Sequence, residues 1–257
     1  MRIRRQDPPW KVVRAFGPLV HLHNVSGGIV AGDRLALEIS VEPGASAQIT
    51  TTGATRLYRH RPSAVDSEQQ IRISVGENGL LEYLPDAVIP FGGSRHKQRT
   101  AISLDAGATL FWHEVLAPGR QAMGERFAFE RLRVESDVRA AGRQALRESF
   151  LLEPGKRLPG AVARMGEHSH IASLYILKAG EPLGFWRRLE ERMSEIAEAI
   201  QRTTGGIWGA TTLVSDGVLV RGLTPTSRSI PAALLEFWGA ARLAITGEEA
   251  VPPRKVR

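Results

Sequence analysis

The chain has 257 residues, 42% of them apolar and 24% charged, with no cysteine and a formal net charge of +7. That balance describes a globular protein with ample length for a core, and the missing cysteines exclude disulfides, thiolate metal sites and a cysteine nucleophile. No apolar run approaches the ~20 residues of a membrane helix. Met1 to Trp10 is basic with no apolar stretch behind it, so no signal peptide is expected. The absence of cysteine leaves the compartment open; the expected location is cytoplasmic, with no membrane attachment.

The first organised stretch is His21-Leu-His-Asn-Val-Ser-Gly-Gly-Ile-Val-Ala-Gly-Asp33. Gly27, Gly28 and Gly32 at that density mean positive φ or close approach of backbone to another part of the chain. Asp33 closes the loop where a strand begins, either as a turn cap or as a carboxylate held for function. Period-2 alternation then predicts strands over 35–41, 47–51, 71–75, 80–84, 88–91, 101–104 and 109–116, with strand character continuing to about Leu152. A strand–acid–Gly–strand unit recurs three times, at Gly44, Gly79 and Gly107, a loose repeat that fits stacked hairpins or a solenoid-like β body. Helices come late. Leu183, Trp186, Leu189, Met193, Ile196 and Ile200 step by three and four between Pro182 and Gly205-Gly206, and a second helix runs from a Ser229 cap to about Ile245, with Leu234, Trp238 and Ala241 on one face. Between them, residues 207–213 and 218–223 read as a hairpin around Ser215-Asp-Gly217. The expected fold is mainly β: an elongated stack of antiparallel and mixed strands with two amphipathic helices in the C-terminal half. It forms one domain, with a β-rich part over 1–152 and a helix-bearing part over 153–257.

No enzyme signature is present: no G-x-S-x-G elbow, no H-E-x-x-H, no G-x-G-x-x-G, and Asp33-Arg34 stands where a phosphate loop needs Lys-Ser/Thr. The chemistry therefore rests on carboxylates and imidazoles at strand ends, Asp33, Glu82, Asp86, His96, His113, Glu114, Glu125 and Glu148, donors that suit a borderline divalent metal such as Ni²⁺ or Zn²⁺. The pairs His21/His23 and His168/His170 have a spacing that puts both rings on one face of a strand; the expectation is surface pairs, and no four-ligand spacing marks a permanent metal site. The arginines are scattered and no RNA- or DNA-reading motif accompanies them, which favours an acidic protein partner. Two alternatives remain: a basic β-rich protein that binds nucleic acid, and a small β-fold hydrolase using Glu82 and Asp86 as acid and base.

Three stretches in order narrow the choice: Leu22-His-Asn-Val-Ser-Gly-Gly-Ile-Val-Ala-Gly-Asp-Arg-Leu35, Ile49-Thr-Thr-Thr-Gly-Ala-Thr-Arg-Leu-Tyr-Arg59 and Leu81-Glu-Tyr-Leu-Pro-Asp-Ala-Val-Ile-Pro-Phe91. Trp112-His-Glu114, Gly119-Arg120 and Gly124-Glu-Arg-Phe127 follow, and the chain closes on Phe237-Trp238, Leu243, Gly247 and Pro253-Arg254. Together they resemble the UreD (UreH) family of urease accessory proteins, with the specific motifs between residues 18 and 130. The resemblance implies a non-enzymatic maturation factor that binds apourease, joins a UreF-like protein and through it a UreG-like GTPase, and lets nickel reach the urease active site. It implies nickel in transit and no tightly bound cofactor, and no membrane or nucleic acid among the partners. It also implies an interior passage lined by acids, placed at Asp33, Glu114 and Glu148, with Glu82 and Asp86 as further lining residues. Phe237 and Trp238 are the expected partner-binding anchors. Two departures bear on the glycine loop: Asn24-Val-Ser26 stands where the family often has Pro-Pro, and Arg34 where some relatives carry a second acid.

Overall fold

The computed structural model describes residues 6–61, 64–161 and 164–253; Met1 to Arg5 and the Arg254 of the closing motif lie outside the described residues. The chain opens with an antiparallel pair, β1 (Trp10–Phe16) and β2 (Leu19–Asn24). It then crosses back and forth between two sheets. β3 (Arg34–Val41) lies in the smaller sheet, and β4 (Ser46–Thr51) and β5 (Thr55–Leu57) in the larger. β6 (Ser67–Val75) returns to the smaller, β7 (Leu80–Leu84) and β8 (Val88–Pro90) to the larger, β9 (Arg95–Leu104) to the smaller and β10 (Thr109–Leu116) to the larger. β11 (Arg131–Ala140) and β12 (Arg143–Leu152) complete a five-stranded sheet ordered β12-β11-β9-β6-β3. β13 (His170–Lys178), β14 (Ile207–Thr212) and β15 (Gly217–Thr224) complete the ten-stranded one.

The repeated units around Gly44, Gly79 and Gly107 are corners that carry the chain from the smaller sheet to the larger. Successive units pair in parallel, β3 with β6 with β9 and β4 with β7 with β10, so these turns are not hairpins. The corners also bond to one another: Gly44 N–H donates to the Glu77 carbonyl at 2.9 Å and Asn78 N–H to the Ala106 carbonyl at 3.0 Å. The left-handed residue in each is Gly44 (φ 67°), Asn78 (φ 54°) and Gly107 (φ 69°), so the middle corner aligns on Asn78, one residue before Gly79. At Gly107 a side chain would meet the amide oxygen of Asn78, which would have to swing aside, and the left-handed φ itself favours glycine.

The two sheets pack face to face. Ile39, Ile73, Ile102 and Val138 from the smaller meet Ile49, Leu81, Leu110 and Leu177 from the larger, and a second apolar cluster around Ile29, Leu57, Phe129 and Leu132 fills the other end. Each such burial stabilises by about 1.5–3 kcal/mol. The outer face of the larger sheet is covered by α1 (Leu183–Thr204) and α2 (Ile230–Thr246), whose Trp186, Met193, Ile200, Phe237 and Ala241 cluster with Phe111, Leu174, Ile176 and Val220. Both helices stop at a left-handed glycine, Gly205 (φ 65°) and Gly247 (φ 74°). Ser229 precedes α2 without a side-chain capping bond; its carbonyl takes the Ala233 N–H at 3.0 Å.

Candidate functional site

The glycine loop is a docking device. Gly27 (φ 75°) and Gly32 (φ 85°) occupy left-handed positions. A Cβ on Gly28 would stand 2.6 Å from the Arg56 carbonyl and from the Tyr58 ring. That closeness lets Ile29 pair with β5: Ile29 N–H donates to the Arg56 carbonyl and Tyr58 N–H to the Ile29 carbonyl, both at 2.8 Å, and the Ile29 side chain is fully buried. Asp33 closes the turn, its Oδ2 accepting the Val30 N–H at 3.0 Å.

Between the two apolar clusters, the facing sheets enclose a polar belt. On the smaller sheet the pairing puts Ser67 beside His96, Gln69 beside Gln98 beside Val134, and Thr100 beside Ser136 beside Glu148. Asp33 immediately precedes β3, in register with Ser67, because Arg34 pairs with Glu68. From the larger sheet, Glu114 on β10, Ser173 and Tyr175 on β13, and Arg221 on β15 point into the same layer, in phase with the core residues Trp112, Leu177 and Leu219. They line a cavity of about 230 Å³ together with Gln98 and Glu148, and the rest of its lining is apolar, including Val88, Leu116, Phe150 and Leu223.

Glu148 is held firmly. Arg221 Nη1 donates to its Oε1 and Nη2 to its Oε2, each at 2.8 Å, and the Tyr175 hydroxyl bonds Oε2 at 3.0 Å. Arg221 Nε donates to Ser173 Oγ at 3.0 Å, and the Tyr175 ring stacks on Trp112 with centroids 4.3 Å apart. Glu114 is held lightly. Gln98 Nε2 donates to its Oε1 at 2.7 Å, and it has no ion-pair partner among the described residues. It borders the cavity and is only half-buried by exposure, yet its depth between the sheets raises its pKa to about 7; the Gln98 bond opposes that rise, the Glu148 charge adds to it and Arg221 opposes it. His96 is buried; Ser67 Oγ lies 2.9 Å from its Nδ1, and its Nε2 has no hydrogen-bond partner among the described residues. Burial brings its pKa down to about 4, so the ring is neutral at pH 7.

The other candidates lie elsewhere. Glu82 faces away from the belt, beneath α2, where Oε1 accepts from Arg242 Nε at 2.8 Å and Trp238 Nε1 at 3.2 Å, and Oε2 from Gln48 Nε2 at 2.8 Å. Asp86 holds the turn after β7, with Thr51 Oγ1 donating to its Oδ2 at 3.0 Å and accepting its N–H at 2.8 Å. These separate duties leave no acid–base pair of Glu82 and Asp86. Phe237 and Trp238 are 0% and 4% exposed; they pack α2 onto the larger sheet and are not surface anchors. The histidine pairs are not surface pairs either. His21 and His170 are buried, His23 Nδ1 lies 2.6 Å from Thr52 Oγ1, and no group of three or more metal-binding side chains occurs among the described residues. The Gly119-Arg120 and Gly124-Glu125 motifs form a clasp, Arg120 gripping both Glu125 oxygens while lying 4.3 Å above the Phe91 ring. The Arg120 bond is the main reason the Glu125 pKa falls to about 2. Arg147, next to Glu148 in sequence, points to the other face of β12, and the counter-charge to Glu148 comes from Arg221. Arg221 carried a readable signal: it is an arginine in the apolar phase of Leu219 and Leu223. Gln98 shows the same signal in phase with Ile102 and Leu104.

The family model described as "UreD urease accessory protein" matches residues 1–257. The chain is similar to the "Urease accessory protein UreD" of Herpetosiphon aurantiacus, 38% identical over 261 residues, covering 100% of this chain and 91% of that protein. It is 32% identical over 235 residues to "Urease accessory protein UreD 2" of Brucella abortus, covering 90% and 75%. With "Urease accessory protein UreD" of Actinomyces naeslundii it shares 32% over 250 residues, covering 90% and 88%.

Proposed function

Because the chain belongs to the UreD family of urease accessory proteins, we propose that it binds apourease together with UreF-like and UreG-like proteins and passes nickel along its interior polar belt. Its part in urease maturation, as an accessory protein and not an enzyme, follows from the family. Nickel in this reading is cargo, no cofactor stays bound, and the work is done in the cytoplasm without membrane or nucleic acid.

The observation that carries the nickel reading is Glu114. It is a carboxylate deep between two sheets that meets one neutral donor, on the wall of a 230 Å³ cavity. A carboxylate so placed is costly unless a proton, water or a cation meets it. Six waters around a divalent ion take roughly 180 Å³ at ~30 Å³ each, which the cavity volume accommodates. Glu148 is the next station, and there the Arg221 guanidinium holds the place of a cation with which an arriving ion exchanges. Asp33 heads the row that Ser67 and His96 continue inward. Scattered oxygen donors hold Ni²⁺ loosely, so the ion can move on.

The test is urease co-expressed with the Glu114→Gln variant at limiting nickel. Nickel per urease active site should fall several-fold while a pull-down recovers the accessory complex intact. Normal nickel content, or loss of the complex itself, rejects the transfer role.

A further inference from the structure

The two sheets differ on their outer faces. Helices cover the larger one, whereas no helix or strand of the described residues packs on the outer face of the smaller sheet. That face carries more cations than acids. Arg95, Lys97 and Arg99 project from β9 and Arg131, Arg133 and Arg139 from β11, on the outward phase of both strands. Acids on and beside the face answer these six: Glu135 takes Arg99 at 2.9 Å, Arg133 at 3.3 Å and Lys97 at 3.7 Å, Glu68 also takes Arg99 at 3.3 Å, and Glu130, Asp66 and Asp137 meet Arg95, Arg131 and Arg139. The surplus lies in three further arginines. Arg34 on β3 and Arg147 on β12, at the two edges of the sheet, have no ion-pair partner among the described residues, and Arg72 on β6 bonds only the neutral Gln70. On the exposed side of α1, by contrast, Arg187, Arg188 and Arg192 are balanced by Glu191, Glu195 and Glu198.

We propose that the outer face of the smaller sheet is a docking surface for a protein partner that presents a carboxylate-rich patch. The size suits a specific interface. Five strands and up to ten residues of length span roughly 24 Å by 33 Å, about the ~800 Å² that one partner contributes to a standard interface. The chemistry suits carboxylates, since arginine forks meet them in paired hydrogen bonds. It suits a protein better than a nucleic acid. Glu68 and Glu135 sit inside the cationic field and would oppose a continuous run of phosphates, and the outward positions of β3, β6, β9, β11 and β12 hold no aromatic ring on which a base could stack. A protein surface can set carboxylates opposite the arginines and a base opposite Glu135. The surplus charge also steers encounter and makes association salt-dependent.

This inference rests on the maturation reading only for the choice of partners to test. Three full-length proteins are compared: wild type, R34E/R72E/R147E on the sheet, and R187E/R188E/R192E on α1, each first shown to keep the wild-type circular dichroism and melting. Each is co-expressed with apourease and the other accessory proteins, and each is run separately on immobilised poly-L-glutamate and on single-stranded DNA. The sheet variant should lose at least tenfold in recovered complex and in poly-L-glutamate retention, with the α1 variant unchanged in both. A sheet variant that forms the complex as wild type does, or an α1 variant that alone loses it, overturns the proposal. Wild-type retention on DNA at higher salt than on poly-L-glutamate overturns it in favour of a nucleic acid. Should wild type recover no urease protein at all, the partner part of the maturation reading fails, and the face is judged on poly-L-glutamate alone. Retention of wild type but not of the sheet variant upholds it there, and no retention ends it.

Discussion

Glu82 and Glu114 stand on neighbouring parallel strands of the same sheet. Glu82 pairs in register with Phe111, so Glu114, three residues further on, points to the opposite face. Glu82 looks out beneath α2 and is met by Arg242, Trp238 and Gln48. Glu114 looks in between the sheets and is met by Gln98. One carboxylate is saturated with donors, including a charge of opposite sign; the other has one neutral donor and an open cavity. In the same sheet, the first is part of the scaffold and the second is chemically available. Burial of an acid therefore says little about function until its partners are known.

The largest expected effect breaks the saturated site. Arg242→Met leaves Glu82, whose side chain is 8% exposed, without its counter-charge. Stability should fall by about 3 kcal/mol, the order seen when one member of a buried pair is removed, measured as a shift in the denaturant midpoint at unchanged slope. A loss under 1 kcal/mol would mean that Trp238 and Gln48 alone satisfy Glu82, and would weaken the contrast with Glu114.

Glu114→Gln should act in the opposite direction. The folded-state pKa of Glu114 is raised to about 7 from an ordinary value of 4.5. The stability that its proton provides is complete below pH 4.5 and is lost as the pH rises towards and through 7. An amide keeps the acceptor for Gln98 and never ionises. The variant should match wild type near pH 4 and be more stable at pH 8, by about 2 kcal/mol once contact with the cavity is allowed for. Melting temperatures of both proteins at the two pH values decide it; equal melting at pH 8 would show Glu114 to be well hydrated.

The contrast between these two acids could not be read from the sequence. Alternation located strands over 35–41, 47–51, 80–84 and 109–116, and three-and-four spacing located both helices, because each pattern reports which side chains leave water. It does not report what they meet. The Glu82–Arg242 pair spans 160 residues of sequence, and no local pattern encodes it. The corners at Gly44 and Gly107 were visible as turns, but their crossing between sheets depends on parallel pairing that only the folded chain reveals. β13 escaped for a related reason. It lies between β10 and β15 with both faces covered, so it is a continuous apolar run in which the alternation vanishes.

Glu148→Gln sharpens the comparison with a second ion pair. Its guanidinium partner, Arg221, is 38% exposed, against 12% for Arg242. An amide gives Arg221 one acceptor where the carboxylate gave two, and the half-exposed guanidinium recovers the difference from water. The stability loss should be about 1 kcal/mol, clearly less than for Arg242→Met. A loss as large would mean that the belt is drier than its cavity suggests and would count against an exchangeable cation at Arg221.

The smallest effect on stability is expected at Asp33, and it bears on the extent of the passage. The carboxylate accepts one backbone N–H, from Val30 at 3.0 Å, and the Asp33 N–H returns to the Val30 carbonyl at 3.1 Å. An asparagine can accept the same bond and tolerates the same turn, so Asp33→Asn should shift stability by no more than about 0.5 kcal/mol, the range of surface changes. Its effect on nickel is a separate matter. Asp33 adjoins β3, at the opposite edge of the smaller sheet from Glu148 on β12, four strand spacings or roughly 19 Å across the sheet and four residues or roughly 13 Å along it. If the passage begins there, the variant lowers nickel per urease active site, less than Glu114→Gln does and only when nickel is scarce. An outer station with one weakly held carboxylate speeds loading without being required for it, so abundant nickel should hide its loss. Nickel content unchanged even at limiting supply would confine the passage to the cavity between Glu114 and Glu148, and would leave Asp33 as the cap of the turn that docks Ile29 onto β5.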